Sequence, residues 1–303
     1  MSRITTTQYA WQYRSMSITL PNEVLAKEDD LRRDLARRDG LVIAFSGGVD
    51  STYLLAVGLE VLGRRCLAAT AVSPSLAPSE REAAQALARR LGARHVEVPT
   101  LEGERPGYVA NGPDRCYHCK AELFDRLAPL VERYGAVAVG TIVDDLGDHR
   151  PGQRAARERG VLTPLAEAGL TKMEVRAASH ARGLPTADKP AQACLASRVA
   201  YGLPVTPERL ARIARAESWL RARGFRELRV RDHGEIARVE VPIGELAALV
   251  QVASDLDAAL RELGWRFVTI DAGGLRSGSM NDLLRDVAAG SVRSSGPDLP
   301  LLT

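Results

Sequence analysis

Between residues 41 and 140 one phrase recurs: a short apolar run, a turn, an amphipathic helical stretch, a glycine, then another apolar run. The runs 41–45, 66–72, 95–98 and 136–140 are rich in Val and Ala, as strands buried on both faces are. Helices are expected near 51–62, 79–91 and 120–134. Gly63, Gly92 and Gly135 stand where a helix closes most cheaply through a residue without Cβ. Strands alternating with helices call for crossover connections, so the phrase predicts an α/β fold, a parallel sheet with helices on both faces. At roughly 100–200 residues per domain, the 303 residues leave room for a second domain.

The boundaries read as an N-terminal extension over 1–30, the sheet domain over 31–185, an active-site loop or linker over 186–206, a small α+β domain over 207–285 and a frayed tail over 286–303. A helix over 172–182 opens on a capping box, Thr171 with Glu174, and stops at Gly183. The next segment loses periodicity and holds Pro185, Pro190, Pro204 and Pro207, long for a structureless connection. Beyond it, a helix over 207–223, strands at 228–230 and 237–241, a helix over 254–263 and a strand at 267–270 make the small domain. Hydrophobic residues at 45% and charged residues at 26% allow both domains a real core. A net charge of +3 with only 4 Phe, 3 Trp and 7 Tyr argues against a dedicated nucleic-acid binder. The N-terminus lacks the apolar core of a signal peptide, and no stretch reaches about 18 apolar residues. The expectation is a cytoplasmic protein with no membrane contact, Met16 being an alternative start after a mobile extension.

The first strand runs into Ser46-Gly47-Gly48-Val49-Asp50-Ser51 and then a helix. Two glycines let backbone amides turn inward, and the helix N-terminus adds unpaired N–H groups and a positive dipole end, so the loop reads as a phosphate cradle. It lacks the lysine of the G-x-x-x-x-G-K-[ST] loop and the spacing of G-x-G-x-x-G. Asp50 would repel phosphate unless Mg²⁺ lay between them, which points to a metal-bridged pyrophosphate. The plainer alternative is a strand-to-helix turn with Ser51 as its cap.

Four cysteines are too few for a secreted scaffold. Cys116 and Cys119, in Arg115-Cys116-Tyr117-His118-Cys119-Lys120, have the spacing that turns two sulfurs to one metal, and neighbouring cations and a helix start favour thiolates. Cys194, between Lys189 and Arg198, is the candidate third ligand. Three cysteines can hold three irons of a four-iron four-sulfur cluster, [4Fe-4S], leaving the fourth open to an external ligand such as sulfide. Zinc with His118 as a further ligand, or an exposed pair of no consequence, are the other readings. Cys66, in an apolar strand, reads as a small buried hydrophobe.

The loop at 46–51 resembles the pyrophosphate loop of the N-type ATP pyrophosphatases, whose sheet is of the adenine-nucleotide alpha-hydrolase-like kind. Together with the phrases at 114–120, 144–152, 164–172 and 194–198, it makes nearly the whole chain, about 31–281, similar to the LarE family. These are ATP-dependent sulfur transferases that help assemble the nickel-pincer nucleotide cofactor of lactate racemase. The resemblance implies adenylation of a carboxylate of pyridinium-3,5-biscarboxylic acid mononucleotide and replacement of oxygen by sulfur. Some members sacrifice the cysteine matching Cys194, which ends as dehydroalanine. Others carry the extra C-x-x-C pair, as here, and hold a [4Fe-4S] cluster bearing sulfide. One departure is Gly140-Thr141-Ile142, where the family often has Gly-Thr-Asn.

Chemistry agrees with what the resemblance implies. A carboxylate oxygen leaves poorly, so AMP must be attached before a sulfur nucleophile displaces it. An anionic substrate calls for arginine forks, and Arg229 and Arg231 alternate along a strand toward one face. These two, with Ser197 and Arg198, match family residues that contact substrate phosphate; an exposed basic strand face is the bland alternative. Glu217 and Glu240 match acidic positions where a divalent metal sits, or are surface carboxylates. ATP, Mg²⁺ and the cluster are the implied cofactors. The implied partners are a small nucleotide substrate, a downstream nickel-insertion enzyme and further copies in a ring-like homo-oligomer. A tRNA thiolase, or a nucleotide- or metal-binding regulatory module without turnover, are the competing functions.

Overall fold

The computed structural model describes residues 19–146, 151–191, 193–276 and Met280. The tail expected over 286–303 and the first 18 residues of the expected extension lie outside the described residues. The chain divides into two compact units. One holds the residues through Ala196 together with Pro204–Ala214; the other holds Ser197–Leu203 and the residues from Arg215 onward.

In the first unit, strands β1 (Leu41–Ala44), β2 (Cys66–Val72), β3 (Arg94–Pro99) and β4 (Val137–Ala138) form a parallel sheet in the order β3-β2-β1-β4. Alternate residues feed two cores. Leu41, Ile43, Cys66 and Ala68 face one side, Val42, Leu67 and Ala69 the other, as the period-2 geometry of a strand requires. Helices α1 (Asn22–Ala36), α2 (Val49–Leu62) and α3 (Pro78–Arg90) pack on the first side, and α4 (Arg115–Tyr134) and α5 (Pro151–Glu158) on the second. Helix α6 (Lys172–Ala181) joins the first side through Val175 and Ala178 and begins on the expected capping box, with Thr171 accepting from the Glu174 amide.

The recurring phrase therefore gives the sheet its strands and three of its helices; α1 and α5 were not legible in it. Residues 22–30, grouped with the extension, are instead the body of α1. Their Glu28 is buried and bound by Arg182, Arg32 (Nη2 at 3.0 Å) and the Tyr53 hydroxyl (3.0 Å). That network fastens α1 to α2 and to the residue closing α6.

The second unit carries β5 (Arg229–Asp232), β6 (Ile236–Glu240) and β7 (Phe267–Ile270), with β5 antiparallel and β7 parallel to the central β6. Helix α7 (Pro207–Arg221), from Arg215 on, and helix α8 (Ala253–Glu262) accompany them. Val230, Val239, Leu256, Leu260 and Trp265 are buried. Among the described residues no helix is long and apolar enough to cross a membrane.

Candidate functional site

Strand order places the end of β1 at a reversal: the chain leaves β1 toward β2 and β3, then returns to β4 on the other flank. In open parallel sheets, ligands bind in the crevice that such a switch point leaves beyond the strand ends. The loop at 46–51 sits there. Gly47 has φ of +67° and lies against Ala84 of α3, and a Cβ on Gly140 would come within 2.8 Å of the Ser51 amide nitrogen. Side chains at both positions would block the turn. The loop braces itself through Ser46 Oγ, 3.1 Å from Ser51 Oγ and 3.3 Å from the Gly48 nitrogen that donates to it. Helix α2 then starts with no side chain capping its first amides, which leaves its dipole end for an anion. Ile142, the departure from the family pattern, is buried in the first core instead of presenting an amide.

Two lysines reach this loop, and neither was legible as a loop residue. Lys172, the first residue of α6, places Nζ 2.7 and 2.6 Å from the two carboxylate oxygens of Asp50. The countercharge that the sequence reading sought from Mg²⁺ is thus already present. Lys189 donates to the Gly47 carbonyl (3.1 Å) and to Glu80 (2.8 Å). Read on sequence as a cation beside Cys194, it is engaged at the phosphate loop.

The thiols lie in the same unit. Helix α4 starts at Arg115, five residues earlier than expected, so Cys116 and Cys119 occupy its first turn, three apart on one side. Cys116 and Cys194 are exposed and Cys119 is partly buried. Burial, above all, pushes the Cys119 thiol up to about 12; Cys194 adds to this and Lys120 opposes it. Desolvation outweighs the neighbouring cation there and opposes the thiolate that Arg115 and Lys120 were expected to favour. Arg115 Nη1 is given to the Asn111 side chain and to the Ala196 carbonyl (3.0 Å), so it clamps the backbone just beyond Cys194. The Leu195 amide donates to the Ser75 carbonyl (2.9 Å), and the Ser75 hydroxyl donates to buried Glu102 (2.9 Å) and pairs with the Tyr108 hydroxyl. Cys194 is therefore solvent-exposed on an anchored stretch.

Among the described residues no three His, Cys, Asp or Glu side chains are grouped to hold one metal ion. His118 bonds Asp114 (3.1 Å) and its ring lies against Gly107. Three soft sulfurs are, in donor type, what an iron–sulfur cluster takes.

The second unit brings Ser197, Arg198, Glu217, Arg229, Arg231 and Glu240 together. Arg198, only 2% exposed, gives Nε to Glu217 (2.9 Å) and Nη1 to the Ser197 hydroxyl (3.1 Å). Glu217 also accepts from Arg221 (2.9 Å) and from the Val230 amide (3.3 Å). Arg231 bonds Glu240 (2.8 Å) and the Ser197 carbonyl (3.1 Å), while Arg238 takes the other oxygen of Glu240 (3.0 Å). Glu217 and Glu240, expected as metal holders or surface carboxylates, are not on the surface: both are buried and paired with arginines, because a buried carboxylate is tolerated only when its lone pairs are met. Arg229 stands apart, with no hydrogen bond or ion pair of its side chain among the described residues. Burial, then the repulsion of Arg198 and Arg231, hold its pKa below the usual guanidinium value. An arriving anion relieves that repulsion.

No family model matches the chain. An uncharacterized protein of Synechocystis sp. is 46% identical over 263 residues, which cover 86% of this chain and 98% of that protein. The pyridinium-3,5-bisthiocarboxylic acid mononucleotide synthase of Lactiplantibacillus plantarum is 38% identical over 256 residues, 83% of this chain and 91% of the synthase. An uncharacterized protein of Methanocaldococcus jannaschii is 26% identical over 233 residues, 76% of this chain and 88% of its own.

Proposed function

The chain belongs to the LarE family of pyridinium-3,5-bisthiocarboxylic acid mononucleotide synthases, and from that premise we infer the work of its residues. It is a sulfur transferase: ATP adenylates a carboxylate of pyridinium-3,5-biscarboxylic acid mononucleotide, pyrophosphate leaves, and a sulfur nucleophile displaces AMP to give the thiocarboxylate. The observation that carries the reading is the union, in one folding unit, of the glycine loop at 46–51 beyond β1 and three thiols. A carboxylate cannot expel oxide at neutral pH, so adenylation must precede sulfur attack.

The amides of the 46–51 loop and the start of α2 hold the pyrophosphate part of ATP. Asp50 is the carboxylate available to Mg²⁺ brought in with the nucleotide, since Mg²⁺ takes one or two carboxylates and otherwise phosphate oxygens and water. Arg229 receives the phosphate of the mononucleotide, with Arg198, Arg231 and Ser197 framing it. Cys116, Cys119 and Cys194 would hold the [4Fe-4S] cluster, which when bound supplies the sulfide. The soft sulfur donors of the product suit a nickel-inserting enzyme downstream.

Mass spectrometry of protein and mononucleotide after anaerobic turnover with ATP and Mg²⁺ tests this. Thiolated product, AMP, pyrophosphate and an unaltered Cys194 are expected. Loss of H₂S at Cys194 would replace cluster-borne sulfur by sacrifice of the residue. Thiolation without AMP would overturn the adenylation step.

A further inference from the structure

We propose that Lys172 and Lys189 are the residues that grip the leaving pyrophosphate, each exchanging a carboxylate for phosphate oxygens when ATP arrives. The proposal rests on the reading of the 46–51 loop as the ATP site. That loop contains no cation of its own, yet a polyphosphate is held in proteins by charge-assisted hydrogen bonds as well as amides. The fold supplies two from far along the chain. Lys172 reaches Asp50 in the first turn of α2, and Lys189 reaches the carbonyl of Gly47, the residue preceding the helix-capping Gly48.

Both stems are fixed while both ammonium groups stay accessible. The Lys172 amide donates to Asp144 (2.8 Å). Arg176 on α6 bonds the carbonyls of Ala187 (2.5 Å) and of Lys189 itself (3.0 Å). The side chains of Lys172 and Lys189 are 35% and 21% exposed, and those of Asp50 and Glu80 24% and 25%. Ion pairs open to water to this degree contribute little to the fold, so exchange for a more highly charged phosphate is inexpensive. Until then each lysine is neutralised by a carboxylate, which keeps two like charges at one loop tolerable. The displaced Asp50 is left facing the cation that accompanies ATP. Because the contacts are with the leaving group, they favour ATP and pyrophosphate and are indifferent to AMP.

Calorimetric titration of the full chain with inorganic pyrophosphate and Mg²⁺, and separately with AMP, tests the assignment. Lys172→Gln and Lys189→Gln should each weaken pyrophosphate binding about 10- to 100-fold, the worth of one charge-assisted hydrogen bond, with AMP affinity unchanged. Lys189→Arg, which keeps the charge, should recover most of the loss. Unchanged AMP binding also shows that a variant is folded. Wild-type protein that binds pyrophosphate no better than the Gln variants do would overturn the lysine assignment alone. Wild-type protein that binds neither pyrophosphate nor AMP would remove the ATP-site reading and the lysines with it.

Discussion

At the phosphate loop, cations meet carboxylates that remain partly open to water: Lys172 with Asp50, Lys189 with Glu80. In the second unit, Arg198 with Glu217 and Arg231 with Glu240 are sealed, their side chains no more than 4% exposed. Both regions serve anions in the proposed reaction, and the difference lies in what the paired charges are for. Open pairs with one lysine partner can be exchanged for a ligand. Sealed pairs whose carboxylates also meet second arginines and a backbone amide are framework, and beside them stands a third guanidinium, Arg229, with no hydrogen bond or ion pair of its side chain among the described residues. A charged cluster is thus not a binding site by its composition; in the proposed reaction the residue that is left over is the one that binds.

The contrast breaks most visibly at Glu217. Glu217→Gln takes a charged carboxylate away from buried Arg198, which should lower stability by about 3–5 kcal/mol, whereas Glu80→Gln should cost less than about 1 kcal/mol. Trp219 and Trp265 both belong to the second unit, so urea unfolding followed by tryptophan fluorescence reports the first effect directly. A loss below about 1 kcal/mol for Glu217→Gln would show that the sealed pairs are as exchangeable as the open ones.

The same seal acts on Cys119 within the first unit. An ordinary thiol is largely ionised by about pH 9.5, but Cys119 keeps its proton until about 12. Its alkylation by iodoacetamide in cluster-free protein, which follows the thiolate fraction, should still climb roughly tenfold per pH unit between 8 and 10. Peptide mass spectrometry would find it roughly 500- to 1,000-fold slower at pH 9 than an unhindered thiol. Equal labelling of Cys119 and free cysteine across that range would contradict the burial.

The smallest expected effect is the most specific. Arg229→Met removes a cation that burial and like charges already disfavour, so the urea midpoint should hold or rise, while affinity for the mononucleotide falls about tenfold. A drop in stability without a change in affinity would make Arg229 part of the framework.

Much of this was readable in advance. The β–α phrase predicted all four strands of the first sheet, the capping box at Thr171 formed as expected, and the glycines of the loop turned where the phosphate reading needs them. Helix α1 was missed although Val24, Leu31 and Leu35 give it an apolar face, for Glu28 interrupts that face and the partners that allow its burial, Arg182 and Tyr53, are distant in sequence. The arginines that meet Glu217 and Glu240 were out of reach for a related reason: carboxylates carry no local mark that says what will meet their oxygens.

Local order, then, came from the sequence: strand and helix periods, a cradle whose amides need glycine, and a pair of thiols three residues apart on one helical turn. Each depends on near neighbours, which short-range sterics and hydrogen bonding decide. Only the tertiary structure decided which cations serve the cradle, since Lys172 stands 122 residues from Asp50 and Lys189 142 residues from Gly47. Only it decided that Arg229, set beside Arg198 and Arg231, would have no bonded carboxylate among the described residues. Charges carry no periodicity, and their partners are chosen by where the packed cores bring distant segments together.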